Sequence, residues 1–308
     1  MAYKCAYLFP GQGSQYVEMG RDLYTTFPAA RAVFDQADRI LGIDLSQLCF
    51  DGPTDALNDT WNTQPAILVT SVAALRALEE RGMDRPVYVA GHSMGEFSAL
   101  VATGALSFED GLKLVRERGR LMKQADEHSP GGMAAILGLE RELLETICVT
   151  VQEQSGEYVG IANDNCPGQV VISGATGALE RAMELAKERG AKRATRLAIS
   201  IAAHSPLMAQ AAAEFRRALD ATPFHEPSIP LVANATALPL TDPDEIRDAL
   251  GQQLTSPVRW TESMRWMIAQ GVTCFVEVGP KEVLTGLLRR IDRTVERMTA
   301  AQAIAREV

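Results

Sequence analysis

The chain has 308 residues, 46% of them hydrophobic and 22% charged, with a formal net charge of −9. That is enough apolar content for a large core, in one large domain or two of moderate size. The acidic balance argues against nucleic acid as a partner, and no apolar run reaches the roughly 18 residues that span a bilayer.

The apolar part of the N-terminal MAYKCAYLFPGQGSQ is too short for a signal peptide. The expected location is therefore the cytoplasm, without membrane association. Cys5, Cys49, Cys148, Cys166 and Cys274 are odd in number and scattered, with no C-x-x-C pair. This pattern predicts buried reduced thiols, not a disulfide framework or a zinc site.

In chain order, short apolar runs alternate with helical patterns. Strands are expected at 5–9, 87–91, 231–235 and 274–279. Helices are expected at 18–41, 65–81, 96–103, 108–125, 207–221, 243–254, 261–269 and 281–291. Strands separated by helices predict a parallel sheet covered on both faces. From 131 the order changes. A strand at 133–138 and a helix at 140–154 precede strands at 158–163 and 169–174, which flank the turn DNCPG. A helix at 176–189 and a strand at 193–198 complete a βαββαβ, or ferredoxin-like, order. The expected fold class is thus α/β. Residues 1–130 and 200–308 form a large parallel-sheet body, and 131–199 an inserted α+β subdomain. A cleft between the two is a natural ligand site.

GHSMGEFSAL, residues 91–100, places Ser93 between Gly91 and Gly95, after an apolar run and before a helical one. G-x-S-x-G in that context is the nucleophile-elbow pattern. The serine hydroxyl is lifted out of a sharp turn, and the small residues let strand and helix pack closely. The helix N-terminus offers free N–H groups to a developing oxyanion.

A serine needs a base, and the chain has four histidines. His92 adjoins Ser93, should point away from the tip of the elbow and is expected to brace it. His128 lies in the polar stretch EHSPGG and His225 between prolines in PFHEP. His204, in SIAAHSPLM, lies where a strand-like run meets a helix, and is the best base. Many acids follow, but no spacing singles out one to orient the imidazole. A second glycine turn, FPGQGSQ at 9–15, follows the first strand. It could be a phosphate loop, although it lacks the P-loop lysine, or it could supply an oxyanion donor.

Eight segments in order, FPGQGSQ, GHSMGEFSAL, RERGRLMKQA, GGMAAILGL, NDNCPGQVVISG, AAHSPLM, QQLTSPVRW and EVGPKEVLTGL, resemble the malonyl-CoA:acyl carrier protein transacylases over nearly the whole chain. The resemblance implies a hydrolase-like α/β body with an inserted ferredoxin-like subdomain. It implies transfer of malonyl from malonyl-CoA to the phosphopantetheine thiol of an acyl carrier protein, for fatty acid or polyketide synthesis. Ser93 would carry the acyl group and His204 act as base. The N–H groups of Gln12 and Met94 would form the oxyanion hole, and Arg118 would bind the malonyl carboxylate. The Gln253 carbonyl would hold the imidazole, and Asn163 and Asn165 would line the cleft. No metal or redox cofactor is implied, and the expected state is a monomer. The residues alone do not choose among Arg116, Arg118 and Arg120, although a guanidinium suits a carboxylate.

Carrier proteins of this system are acidic, which makes the basic stretches 187–196 and 287–293 docking candidates. Two departures from common family patterns stand out. Ala202 and Ala203 precede His204 where bulkier residues are common, and Lys281 replaces a common glycine. An acyl hydrolase of the same family, or a non-catalytic carrier-binding scaffold, are the alternatives.

Overall fold

The computed structural model of the chain describes residues 4–128, 131–198 and 201–306. The ten strands among the described residues are β1 (Cys5–Phe9), β2 (Tyr88–Gly91), β3 (Gly131–Leu137), β4 (Val159–Cys166), β5 (Gln169–Ala175), β6 (Arg193–Arg196), β7 (Leu231–Val232), β8 (Pro239–Leu240), β9 (Cys274–Glu277) and β10 (Glu296–Thr299). They form two sheets.

The larger sheet has the order β10-β9-β1-β2-β7-β8 and is parallel except for the short edge pair β7–β8. Residues 6–9 of β1 and all of β9 are buried without alternation, as strands covered on both faces must be. The helix Thr60–Glu80 is buried nearly all round and packs along the helices Pro28–Leu41 and Phe108–His128. Pro65 interrupts its ladder, so the Trp61 carbonyl loses the N–H that would have bonded it. Arg116 repairs this: its Nη1 donates to Trp61 O at 3.0 Å.

The smaller sheet, β4-β5-β3-β6, is antiparallel and carries the helices Arg141–Ser155 and Thr176–Glu188. The strand order is the ferredoxin-like one, with its own core around Ile136, Leu144, Ile172 and Leu179. β4 runs through Asn163 to Cys166 where a turn is expected from 164, and the turn shrinks to Pro167–Gly168. Its free edge is covered by the large body. Asp164 N–H donates to Val258 O (2.9 Å), and Val258 N–H donates to Ala162 O (2.8 Å).

The parallel body and the ferredoxin-like order follow the sequence, while several element bounds do not. The helix expected at 18–41 breaks into Arg21–Thr26 and Pro28–Leu41, because Pro28 holds Phe27 extended. The Thr60–Glu80 helix starts five residues before its expected bound, capped by Asp59, whose side chain accepts from Trp61 N–H. Helices at Leu45–Asp51 and Thr54–Asn58 and the strands β8 and β10 have no counterpart in the sequence pattern. The strand expected at 231–235 pairs only over Leu231–Val232. The helix expected at 281–291 starts at Val283, because Lys281 takes a left-handed φ of 64° better suited to glycine.

Ile172 is fully buried between the two helices of the small sheet. Ile172→Ala is expected to destabilise the protein by about 2–5 kcal/mol in denaturant unfolding. A change below about 1 kcal/mol would show that this core is not close-packed.

Candidate active site

The elbow is built by exclusion. Ser93 has φ 52°, a left-handed value that costs a non-glycine residue about 1–3 kcal/mol. The strain is held by contacts on both sides. A Cβ on Gly91 would lie 2.0 Å from Gly95 C, and one on Gly95 would lie 2.1 Å from Phe9 O. Only glycine allows β1, the elbow and the helix Gly95–Thr103 to approach so closely.

The loop after β1 closes on the same turn: a Cβ on Gly11 would meet His92 O at 2.4 Å. Both Gln12 and Met94 line the cleft, and neither of their N–H groups donates elsewhere among the described residues. The Gln12 side chain is occupied, with Nε2 donating to Thr60 Oγ1 (3.1 Å).

His204 lies 111 positions from Ser93 in the chain, and its Nε2 is 2.8 Å from Ser93 Oγ. It also has a left-handed φ, 59°. Its Nδ1 lies 2.9 Å from Gln253 O and 3.1 Å from Ser256 O. Both are carbonyls, so Nδ1 must carry the proton, and Nε2 presents its lone pair to the serine. The orienting group that the acids failed to reveal is therefore a pair of main-chain carbonyls. Burial first, then the Arg118 charge, push the His204 pKa down to about 3.

Of the three arginines in RERGR, the structure selects Arg118. Arg116 stacks on the Trp61 ring at 4.0 Å, and Arg120 pairs with Glu117 on the surface. Arg118 is 1% exposed. Its Nη2 donates to Ser93 Oγ (3.1 Å) and Gln253 Oε1 (3.0 Å), and its Nη1 donates to Gln64 Oε1 (3.1 Å). Gly119 makes this possible: a Cβ there would lie 2.8 Å from Thr60 O, so the two helices can touch. Burial lowers the Arg118 pKa to about 10, so the group stays charged near neutral pH. It makes no ion pair with a carboxylate among the described residues.

His92 lies beside Ser93 in the cleft wall. It bonds Asn165 Oδ1 through Nε2 (2.7 Å) and packs edge-on against Trp260. Asn163 and Asn165 both line the cleft from β4, where two bulges shift the register. The other histidines are elsewhere: His225 is exposed, and His128 ends the helix Phe108–His128 instead of standing in a loop. Ala203 lines the cleft, while Ala202 packs toward Gly131.

Residues 6–306 match the family model described as an acyl transferase domain. The malonyl CoA-acyl carrier protein transacylase of Bacillus subtilis is 47% identical over 95% of this chain and 92% of its own length. The chain belongs to the malonyl-CoA:acyl carrier protein transacylase family.

An acyl carrier protein S-malonyltransferase structure from Vibrio cholerae superposes with a TM-score of 0.93 at 47% identity, covering 96% of each chain. A malonyl-transacylase solved with its type II polyketide acyl-carrier protein superposes at 0.94 with 42% identity, over 98% of this chain and 99% of the other. The hydrolase-like body with its ferredoxin-like insertion is thus the fold of this transacylase family.

Sequence reasoning missed Gln64, Glu96 and Asn234. Asn234 Oδ1 accepts from Ser93 N–H (2.7 Å), and its Nδ2 donates to Gly91 O (2.6 Å), which clamps the elbow. It leaves the sheet after Val232 to do so, which is why the expected strand stops short. The one available signal for Gln64 is a lone amide at the head of the apolar run PAILVTSVAAL.

The tautomer is directly testable. Ring nitrogen NMR is expected to show His204 protonated at Nδ1 and not titrating between about pH 5 and 8, because its lowered pKa lies below that window. A His204 ring that protonates in the ordinary histidine range would contradict this reading.

Proposed function

We propose that the protein moves a malonyl group from malonyl-CoA to the phosphopantetheine thiol of an acyl carrier protein, through an ester on Ser93. One observation carries the reading. Arg118 is a buried guanidinium bonded only to neutral groups, and it donates to the nucleophile itself. A buried cation without an anion is costly unless a ligand supplies one. A substrate with a free carboxylate near the reacting carbonyl does so.

Ser93 Oγ attacks the thioester carbonyl while His204 Nε2 takes its proton. The N–H groups of Gln12 and Met94 receive the oxyanion. As the intermediate collapses and the C–S bond breaks, His204 gives its proton to the departing CoA thiolate, and the carrier thiol reverses the sequence. No electron is transferred, so the route calls for no redox cofactor. Binding also prepares the base. The Arg118 charge helps depress the His204 pKa, and a carboxylate seated on Arg118 offsets that charge. The imidazole becomes more basic when the proper substrate is present. Ala203 leaves room beside the acyl α-carbon.

The carrier protein would dock on a basic surface beside the cleft. Lys192 packs on Gly138, and Arg290 reaches Gly168, which itself neighbours Gly138. The two basic stretches therefore border one surface. Arg290 Nη1 also donates to Gln169 Oε1 (2.7 Å), and Gln169 lines the cleft. We place the division between the lobes near 130 and 200, with the cleft between them. The five free thiols suit a reducing compartment such as the cytoplasm.

Intact-mass analysis after mixing with malonyl-CoA is expected to show an adduct on the wild type and none on Ser93→Ala. Arg118→Ala is expected to slow malonyl loading tenfold or more, the worth of roughly 1.5–3 kcal/mol for a charge-assisted bond, and to spare acetyl loading. Equal losses for both acyl groups would remove the carboxylate role. Free malonate released at the same rate with or without carrier protein would favour a hydrolase.

Lys192→Glu combined with Arg189→Glu is expected to raise the KM for carrier protein and leave malonyl loading unchanged. Equal effects on both steps would rule out this surface.

A further inference from the structure

Among the described residues Glu96 is the one carboxylate buried against the elbow, and the mechanism above does not use it. It sits in the first turn of the helix Gly95–Thr103 and is 2% exposed. Its Oε1 accepts from Asn234 N–H (2.6 Å), and its Oε2 accepts from Gln253 Nε2. These partners are not incidental. Asn234 clamps Gly91 and Ser93, the residues on either side of His92. Gln253 donates to Ser93 O (3.0 Å), accepts from Arg118, and holds the His204 ring through its carbonyl.

The direction of this network is forced. Arg118 can only donate, so the Gln253 side-chain oxygen must face it. The Gln253 NH2 must then face Glu96. A main-chain N–H faces the other Glu96 oxygen. Both oxygens at position 96 therefore accept, which an ionised carboxylate does at full strength with no acid proton to place, and which an amide cannot do.

We propose that ionised Glu96 is a positioning residue, the acceptor that sets the orientation of Gln253 and Asn234 and through them aligns Ser93, His204 and Arg118. The inference rests on the roles given above for those three residues. An amide at position 96 would set donor against donor at one of its two contacts. Turning the Gln253 amide would only move that conflict to Arg118.

Burial pushes the Glu96 carboxyl up to about 7, against the stabilising bonds from Asn234 and Gln253 and the charge of Arg118. Arg118 is the charged group that faces it, and the nearby His92 and His204 have lowered pKa values and are neutral. Because the carboxyl pKa is raised, lowering the pH through about 7 protonates Glu96 and breaks the network. The rate of acylation falls on the acid side.

The test is single-turnover malonyl loading of the full chain at saturating malonyl-CoA, from about pH 6 to 8, for wild type, Glu96→Gln and Glu96→Asp. The wild-type rate is expected to rise through about pH 7. Glu96→Gln is expected to load about 10- to 100-fold more slowly, with no such rise and with cooperative thermal unfolding retained. Glu96→Asp is expected to keep the rise at a reduced rate. A Glu96→Gln variant that loads at the wild-type rate, or that is slow but keeps the wild-type pH profile, overturns the proposal. Should that variant not fold, a wild-type rate flat across the range overturns it. If Ser93→Ala still forms the adduct, the acyl-enzyme reading fails instead.

Discussion

A guanidinium shut away from water without a carboxylate against it is the constraint on which the rest of this structure depends. Arg118 is surrounded by amide oxygens, a thioether and the nucleophile. In a low-dielectric pocket its field is weakly screened, and it reaches the serine, the imidazole and the empty side of the cleft. An anion that enters there gains the full interaction. A neutral acyl group does not, and leaves the cation with no anion in contact, Glu96 standing behind Gln253.

The same burial shapes the base. Many serine hydrolases orient the imidazole with a carboxylate. Here two main-chain carbonyls do so, and the nearest carboxylate is kept one residue away, behind the Gln253 side chain. The negative charge serves the direction of the hydrogen bonds and the balance of Arg118 without contacting the imidazole. A carboxylate directly on His204 would raise its proton affinity permanently. Carbonyls leave that affinity low until the substrate arrives.

The two sheets divide the work. The parallel sheet supplies the strained elbow, the loop carrying Gln12 and the helices that bring Arg118 to Gln64. The ferredoxin-like sheet supplies Asn163, Asn165 and Met133 to the opposite wall. Its β4 edge is hydrogen-bonded to Val258, close to the carbonyls that hold His204. The position of the small sheet and that of the base are therefore coupled through a few residues of chain.

Much of this was legible in the sequence. Glycines at 91 and 95 around a serine, after an apolar run, describe a strand–turn–helix because close approach forbids any side chain there. The βαββαβ order could be read because period and turn residues act locally. The resemblance of eight segments pointed to Arg118 and to the Gln253 carbonyl, which spacing could not. What the sequence could not decide was set by contacts across long separations. Arg116, Arg118 and Arg120 look alike in a helical run; only the packing against Trp61, Gln64 and solvent tells them apart. The orienter of His204 is main chain, which carries no residue identity. Asn234 reads as part of a strand until the elbow draws its side chain away. Local sequence thus determined the elements and the serine elbow, and tertiary packing decided which charge stays buried and which atoms hold the His204 ring.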